Sequence, residues 1–276
     1  MLLPFRKMHG TGNDFLVVDQ RAEAQGAPSP EIIRKLADRR TGVCFDQLMW
    51  IDPPRNAENL ADYRVFNADG SEVEQCGNGV RCVAWVVSKD GGQGAEFILG
   101  SPAGPVPVRI IGENSVSVGM GQPEFDPANI PFVADSTAPV YPLDAGGKTI
   151  TVSAISMGNP HCVLQVDQVA DADVSTIGPL IETHERFPNH TNVGFMAIRN
   201  RGRIDLRVHE RGVGETLACG TGACAAVVAG RILEELDADV EVHLPGGQLM
   251  VSWPGDSTLV WLSGDAELTY EGTLDI

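Results

Sequence analysis

The sequence predicts an α+β protein made of two pseudo-symmetric α/β half-barrel domains, each a wrapped sheet around a central helix. Three observations carry this. The chain echoes itself at a nearly constant offset. Most of its segments are short and alternate apolar with polar residues. Each half holds one helical stretch that is apolar on every side. The first domain is expected over residues 1–119 plus 265–276, and the second, its internal repeat, over 120–264.

The echo is clearest in the middle of each half. Arg64-Val65-Phe66, Glu72 and Cys76-Gly77-Asn78-Gly79 return as Arg207-Val208-His209, Glu215 and Cys219-Gly220-Thr221-Gly222, each 143 positions further on. Gly12-Asn13 returns as Gly158-Asn159 after 146 positions, and Gln47 as Asn192 after 145. Landmarks in one order at one spacing point to duplication.

Taken in order, alternation marks strands at 15–19, 63–66, 106–111 and 115–118 in the first half. Ser29 is placed to open a helix over 31–40. In the second half strands are expected at 150–154, 162–166, 204–209, 240–244, 248–252 and 258–262, and Ser175 opens a helix reaching about residue 185. Gly-Gly pairs at 91–92, 146–147 and 246–247 mark tight connections. The Pro-rich, aperiodic stretch 126–137 is expected to cross between halves. Helices over 80–88 and 223–236 follow the two Cys-Gly-x-Gly turns. Their first turns are apolar all round and have to be covered on all sides. Threading each through a wrapped sheet does so, with a pseudo-twofold relating the halves.

Composition narrows the function. The 276 residues are 43% hydrophobic, enough for a large core. Thirty-seven acidic against 20 basic residues give a net charge of −17, which argues against nucleic acid and anionic membranes as partners. With no apolar run of membrane-spanning length and no signal-like opening, a soluble, cytoplasmic protein is expected. The six cysteines are sparse, and their gaps do not match common zinc sites, so neither a disulfide framework nor a metal site is expected.

The two Cys-Gly-x-Gly turns carry the chemistry. A cysteine at a helix start lies near the positive end of the helix dipole and near unpaired N–H groups, which favours thiolate and predicts a lowered pKa. The glycines let a ligand approach the backbone, and an anion such as a carboxylate suits the same N–H groups. If the halves face each other, one thiolate can take a proton from a carbon while the other thiol delivers one to the opposite face. None of the four lysines lies near these motifs, so no Schiff-base cofactor is expected. Three readings stand at this point: an epimerase for a long amino acid, a racemase of another amino acid, and a redox switch closing a disulfide.

Seven motifs then resemble the diaminopimelate epimerase family: Gly10-Thr11-Gly12-Asn13-Asp14-Phe15, Phe66-Asn67-Ala68-Asp69-Gly70-Ser71, Cys76-Gly77-Asn78-Gly79-Val80-Arg81-Cys82, Gly158-Asn159-Pro160-His161, Asn192-Val193-Gly194, the run from Glu210 to Thr216, and Cys219-Gly220-Thr221-Gly222. The resemblance spans Lys7 to Tyr270 in the family's order. It implies cofactor-independent interconversion of LL- and meso-diaminopimelate, in lysine and peptidoglycan precursor synthesis, by a homodimer. It implies that Cys76 and Cys219 are the acid/base thiols, with His161 and Glu210 beside them setting their protonation. Gly77, Asn78, Gly220 and Thr221 would hold the reacting end. Asn13, Gln47, Asn67, Asn159, Asn192, Glu210 and Arg211 would line the pocket. A substrate with two ammonium and two carboxylate groups needs such donors and acceptors, with Arg211 to grip a carboxylate and Glu210 to take an ammonium. Cys44, Cys82, Cys162 and Cys224 read as small buried hydrophobes.

Overall fold

The computed structural model describes residues 2–23, 25–73, 76–91 and 94–275. Gly92, the second glycine of the first expected pair, lies outside them. The chain divides into two compact units: residues up to Gly119 together with those from Ser263 onward, and Met120–Leu262.

The first unit opens with β1 (Leu2–Gly10) and β2 (Asn13–Asp19), then α1 (Pro30–Ala37), β3 (Gln47–Asp52), β4 (Ala61–Asn67) and the short β5 (Glu72–Val73). Helix α2 (Gly77–Gly91) follows, then β6 (Glu96–Ser101), β7 (Gly104–Ile110) and β8 (Ser115–Gly119). The second unit runs β9 (Tyr141–Ala145), β10 (Lys148–Ser156), β11 (Pro160–Gln165), a 3-10 turn, α3 (Val174–Glu182), β12 (Asn192–Asn200), β13 (Arg203–Glu210), β14 (Gly214–Thr216), α4 (Gly220–Ile232), β15 (Asp239–Leu244) and β16 (Gly247–Ser252). Strand β17 (Trp261–Asp265) leads back to the first unit, which β18 (Glu267–Asp275) completes.

Both units are wired alike. In the first, β1 and β2 are antiparallel, β2 and β3 parallel, β3 and β4 antiparallel, and β4 and β6 parallel, with β7 next. In the second, β10, β11, β12, β13, β15 and β16 repeat that order and those directions. The register repeats too: Phe15 opposes Gln47 as His161 opposes Asn192. Each parallel pair needs a crossover, and α1, α2, α3 and α4 supply the four. The result is the predicted α+β fold, mostly sheet.

Helices α2 and α4 are the central helices. From Gly77 through Val87 every residue but Trp85 is buried, and Ala223–Gly230 is buried throughout. Close approach demands glycine at their first turns. A Cβ on Gly79 would stand 2.6 Å from Met49 Sδ on β3. Two-residue connections also use glycine for its freedom: Gly146 and Gly147 (φ 60° and 74°) close the β9–β10 hairpin.

Several expectations shift. Residues 126–137 do not cross between units. They belong to the second, where Ile130 and Phe132 enter its core beside Tyr141 and Phe187. Helix α3 starts two residues earlier than Ser175 suggests, because Asp173 is the cap and accepts from the Thr176 N–H at 3.2 Å. The last expected strand lies at Trp261–Asp265 rather than 258–262. The expected strands do not include β1, β3, β6, β9 or β12: β3 and much of β12 are buried on both faces, while β9 alternates over only five residues.

Candidate active site

Each Cys-Gly-x-Gly turn forms the start of a central helix. Cys219 is the N-cap of α4, and its carbonyl accepts from Ala223 N–H at 2.9 Å. Cys76 stands in the same relation to α2: its carbonyl accepts from Val80 N–H at 2.9 Å, and its Sγ lies 3.4 Å from the Gly79 N–H that points at it. Helix N–H groups therefore face both sulfurs.

In the second unit the expected residues form one connected chain. His161 Nε2 meets Asn159 Oδ1 at 2.9 Å, Asn159 Nδ2 reaches Thr221 Oγ1 at 3.5 Å, and Thr221 Oγ1 lies 3.6 Å from Cys219 Sγ. Cys219 in turn hydrogen-bonds Glu210, whose Oε1 accepts from Thr216 Oγ1 at 2.5 Å. Asn192 is set apart from that chain. Its Oδ1 accepts the Arg211 backbone N–H at 2.9 Å and its Nδ2 donates to Pro160 O at 3.1 Å. Arg211 is exposed and its guanidinium donates to Asn189 O at 3.1 Å.

Electrostatics correct one expectation. Cys219 is not poised as a thiolate: burial, reinforced by the Glu210 carboxylate, pushes its pKa above the ordinary thiol range against the pull of Thr221 and the Gly222 N–H. Burial also raises the Glu210 carboxyl, while Thr216 and Cys219 oppose the rise. His161 is 1% exposed, and burial with the nearby Arg211 charge lowers its pKa to about 3, so it is neutral at physiological pH. Cys219 is therefore held as the proton-bearing thiol.

The first unit presents amides. Asn78 Nδ2 donates to Asn13 Oδ1 at 2.7 Å, and Gln47 Nε2 to Asn67 Oδ1 at 2.9 Å. Gln47 Oε1 is buried with no hydrogen-bond partner among the described residues. Three residues missed in the sequence organise this set. Arg81, wholly buried on α2, donates to Gly77 O (3.2 Å), Asn78 Oδ1 (3.1 Å), Thr11 Oγ1 (2.9 Å) and Asp265 O (3.3 Å). Asp14 and Asp46 clasp each other: Asp14 Oδ1 takes the Asp46 N–H at 2.8 Å, and Asp46 Oδ2 the Asp14 N–H at 3.2 Å. Asn13 precedes Asp14 and Gln47 follows Asp46, so the clasp fixes both amides, and Lys7 Nζ neutralises Asp14 at 2.6 Å. Their sequence separations gave no signal, except that Arg81 interrupts an apolar helix.

Cys82, Cys162 and Cys224 are fully buried, as read. Burial pushes the Cys82 thiol up to about 12. Cys44 differs, being half-buried with φ 62°. Among the described residues no cluster could hold a metal ion, and no helix is long and apolar enough to cross a membrane.

The fold is shared with solved structures of low sequence identity. A hydroxyproline epimerase from Agrobacterium vitis superposes with a TM-score of 0.70 at 14% identity, covering 99% of this chain and 92% of that one. A phenazine biosynthesis protein of the PhzF family from Bacillus anthracis gives 0.70 at 13%, covering 100% of both. The fold and family place the chain in the epimerase–isomerase class of enzymes. The profile of the diaminopimelate epimerase family matches residues 5–125 and 153–269, and the chain belongs to that family.

Proposed function

We propose that this enzyme interconverts LL- and meso-diaminopimelate without a cofactor, using Cys76 and Cys219 as the two acid/base groups. The observation that carries the reading is the pair of cysteines at equivalent helix starts, each faced by N–H groups and each beside a polar set that the repeat duplicates. The reaction needs one thiol from each unit to serve opposite faces of the same α-carbon. Removal of the α-proton by one sulfur breaks the C–H bond and leaves its electron pair on the carbon, delocalised into the carboxylate. The other sulfur then delivers its proton to the opposite face. The N–H groups of Gly77-Asn78 and Gly220-Thr221 stabilise the charge growing on that carboxylate.

The distal end of the substrate is a second zwitterion. The unmatched Gln47 Oε1 supports an ammonium ligand in the first unit, with Asn13, Asn67, Asn159, Asn192 and Glu210 completing the pocket. Arg211 is exposed, its guanidinium donates to a backbone carbonyl, that of Asn189, and it can turn toward a carboxylate. Arg211→Met is expected to lower kcat/KM by roughly tens- to thousandfold, the loss of a charged partner that bound substrate would cover, worth ~2–5 kcal/mol. A value within threefold of wild type removes Arg211 from the pocket. We also propose cytoplasmic, homodimeric enzyme, the second copy meeting β18, where Leu268 and Tyr270 are 39% and 45% exposed.

The test is chiral analysis of purified enzyme supplied with LL-diaminopimelate, meso-diaminopimelate, L-proline or trans-4-hydroxy-L-proline. Equilibration of the two diaminopimelates, with proline and hydroxyproline left unchanged, is the expected result. Turnover of the ring amino acids instead assigns the chain to the chemistry named for its Agrobacterium neighbour.

A further inference from the structure

The turn that carries Glu210 and Arg211 is fastened from below by a group outside the candidate pocket. Glu182 closes α3 and is 9% exposed. Its Oε1 accepts the Gly212 backbone N–H at 2.8 Å, and its Oε2 meets His209 Nε2 at 2.8 Å. His190 Nδ1 lies 3.6 Å from the same Oε1. Gly212 and His209 bracket Glu210 and Arg211 in the chain, so one carboxylate holds a side chain before the two site residues and a backbone N–H after them.

The helix is shaped to receive this contact. A Cβ on Gly178 would fall 2.7–2.9 Å from His209 Cγ, Cβ and Nδ1, so only glycine there lets the ring seat on α3. His209 is 7% exposed. The Gly212 hydrogen bond and the hydrogen bond from His209 hold the Glu182 carboxyl below the usual range against its burial, so it is an anion at neutral pH. Gly212 has φ 73° and Gly214 φ 101°, a backbone that needs an outside tie to stay in one conformation.

We propose that Glu182, with His209, is a positioning residue that sets the Glu210–Arg211 turn and thereby the distance between the Glu210 carboxylate and the Cys219 thiol. Its effect on the reaction rests on the function proposed above. Its effect on Cys219 does not, because Glu210 raises the Cys219 pKa with no substrate present.

The experiment follows that thiol. Full-length wild type, Glu182→Ala and Glu182→Gln are alkylated with iodoacetamide at pH 9 well below their melting temperatures, and Cys219 and Cys162 are quantified by peptide mass spectrometry. Gln keeps the acceptor for Gly212 N–H and can donate to the other tautomer of His209. Expected is a Cys219 rate about tenfold higher in Glu182→Ala, since each unit of lowered pKa raises the thiolate fraction tenfold. Cys162, wholly buried in the same unit, should stay at its wild-type rate, and Glu182→Gln should restore the wild-type pattern. With diaminopimelate, kcat/KM of Glu182→Ala should fall roughly tenfold to hundredfold, as small misplacements of reacting groups do, and recover in Glu182→Gln. An unchanged Cys219 rate, a rise matched by Cys162, or a Gln variant that behaves like Ala overturns the proposal. If wild type leaves diaminopimelate untouched while the alkylation pattern appears, the functional reading fails and the positioning role stands.

Discussion

Cys76 and Cys219 occupy equivalent places in the repeat, yet three of the positions around them differ in kind. Where β13 ends in Glu210, β4 ends in Asn67; where β11 carries His161, β2 carries Phe15; where α2 buries Arg81, α4 buries Cys224. Burial, reinforced by the Glu210 carboxylate, keeps Cys219 protonated. Replacing either thiol with alanine should cost at least the ~10²–10⁴-fold typical of a general acid or base; a folded Cys76→Ala or Cys219→Ala enzyme retaining a tenth of wild-type rate rules out that role. His161 makes a separate, pH-dependent prediction. Unfolded, it takes a proton near the ordinary histidine value of 6.5, whereas folded it refuses one until about pH 3. Stability is therefore intact above pH 6.5 and falls as pH drops from there toward 3, by about 2 kcal/mol at pH 5. His161→Phe, which installs the residue found at the equivalent position of the other unit, should shrink the loss of urea stability between pH 7 and pH 5 by about that amount. An unchanged pH dependence would show that His161 is charged in the folded protein.

At the scale of the element, the helices were the readable part and the polar supports were not. Helices α2 and α4 announce themselves by being apolar all round, and burial confirms it. Arg81 hid within that run. Its four acceptors come from α2 itself, from Thr11 and from Asp265, which no local pattern relates. The Asp14–Asp46 clasp and the Glu182–His209 tie escaped for the same reason: they join residues 32 and 27 positions apart. Individual site amides were legible only through the repeat and the family motifs, since an isolated Asn after Gly reads as a turn. Arg81→Met keeps length and removes the donors, leaving buried acceptors unsatisfied. It should destabilise the protein by at least about 2 kcal/mol. A denaturation midpoint indistinguishable from wild type would mean those acceptors find other partners.

For the whole molecule, duplication supplies what the proposed reaction needs, an acid and a base of the same residue type: one helix start appears twice, with different residues around the two copies. The repeat was visible because its landmarks keep their offset. The passage between units was misread because Pro-rich spacing resembles a linker, while Ile130 and Phe132 anchor that stretch in the second core. The central claim is that two thiols, one from each copy, exchange different protons with the same carbon. It is tested most directly by converting protiated LL-diaminopimelate in deuterium oxide and stopping at a few per cent conversion. The account predicts meso product carrying one solvent deuteron at the inverted carbon, with the recovered LL substrate still protiated there. Product that retains the substrate's own α-proton would show a single base returning what it took, and would contradict the account.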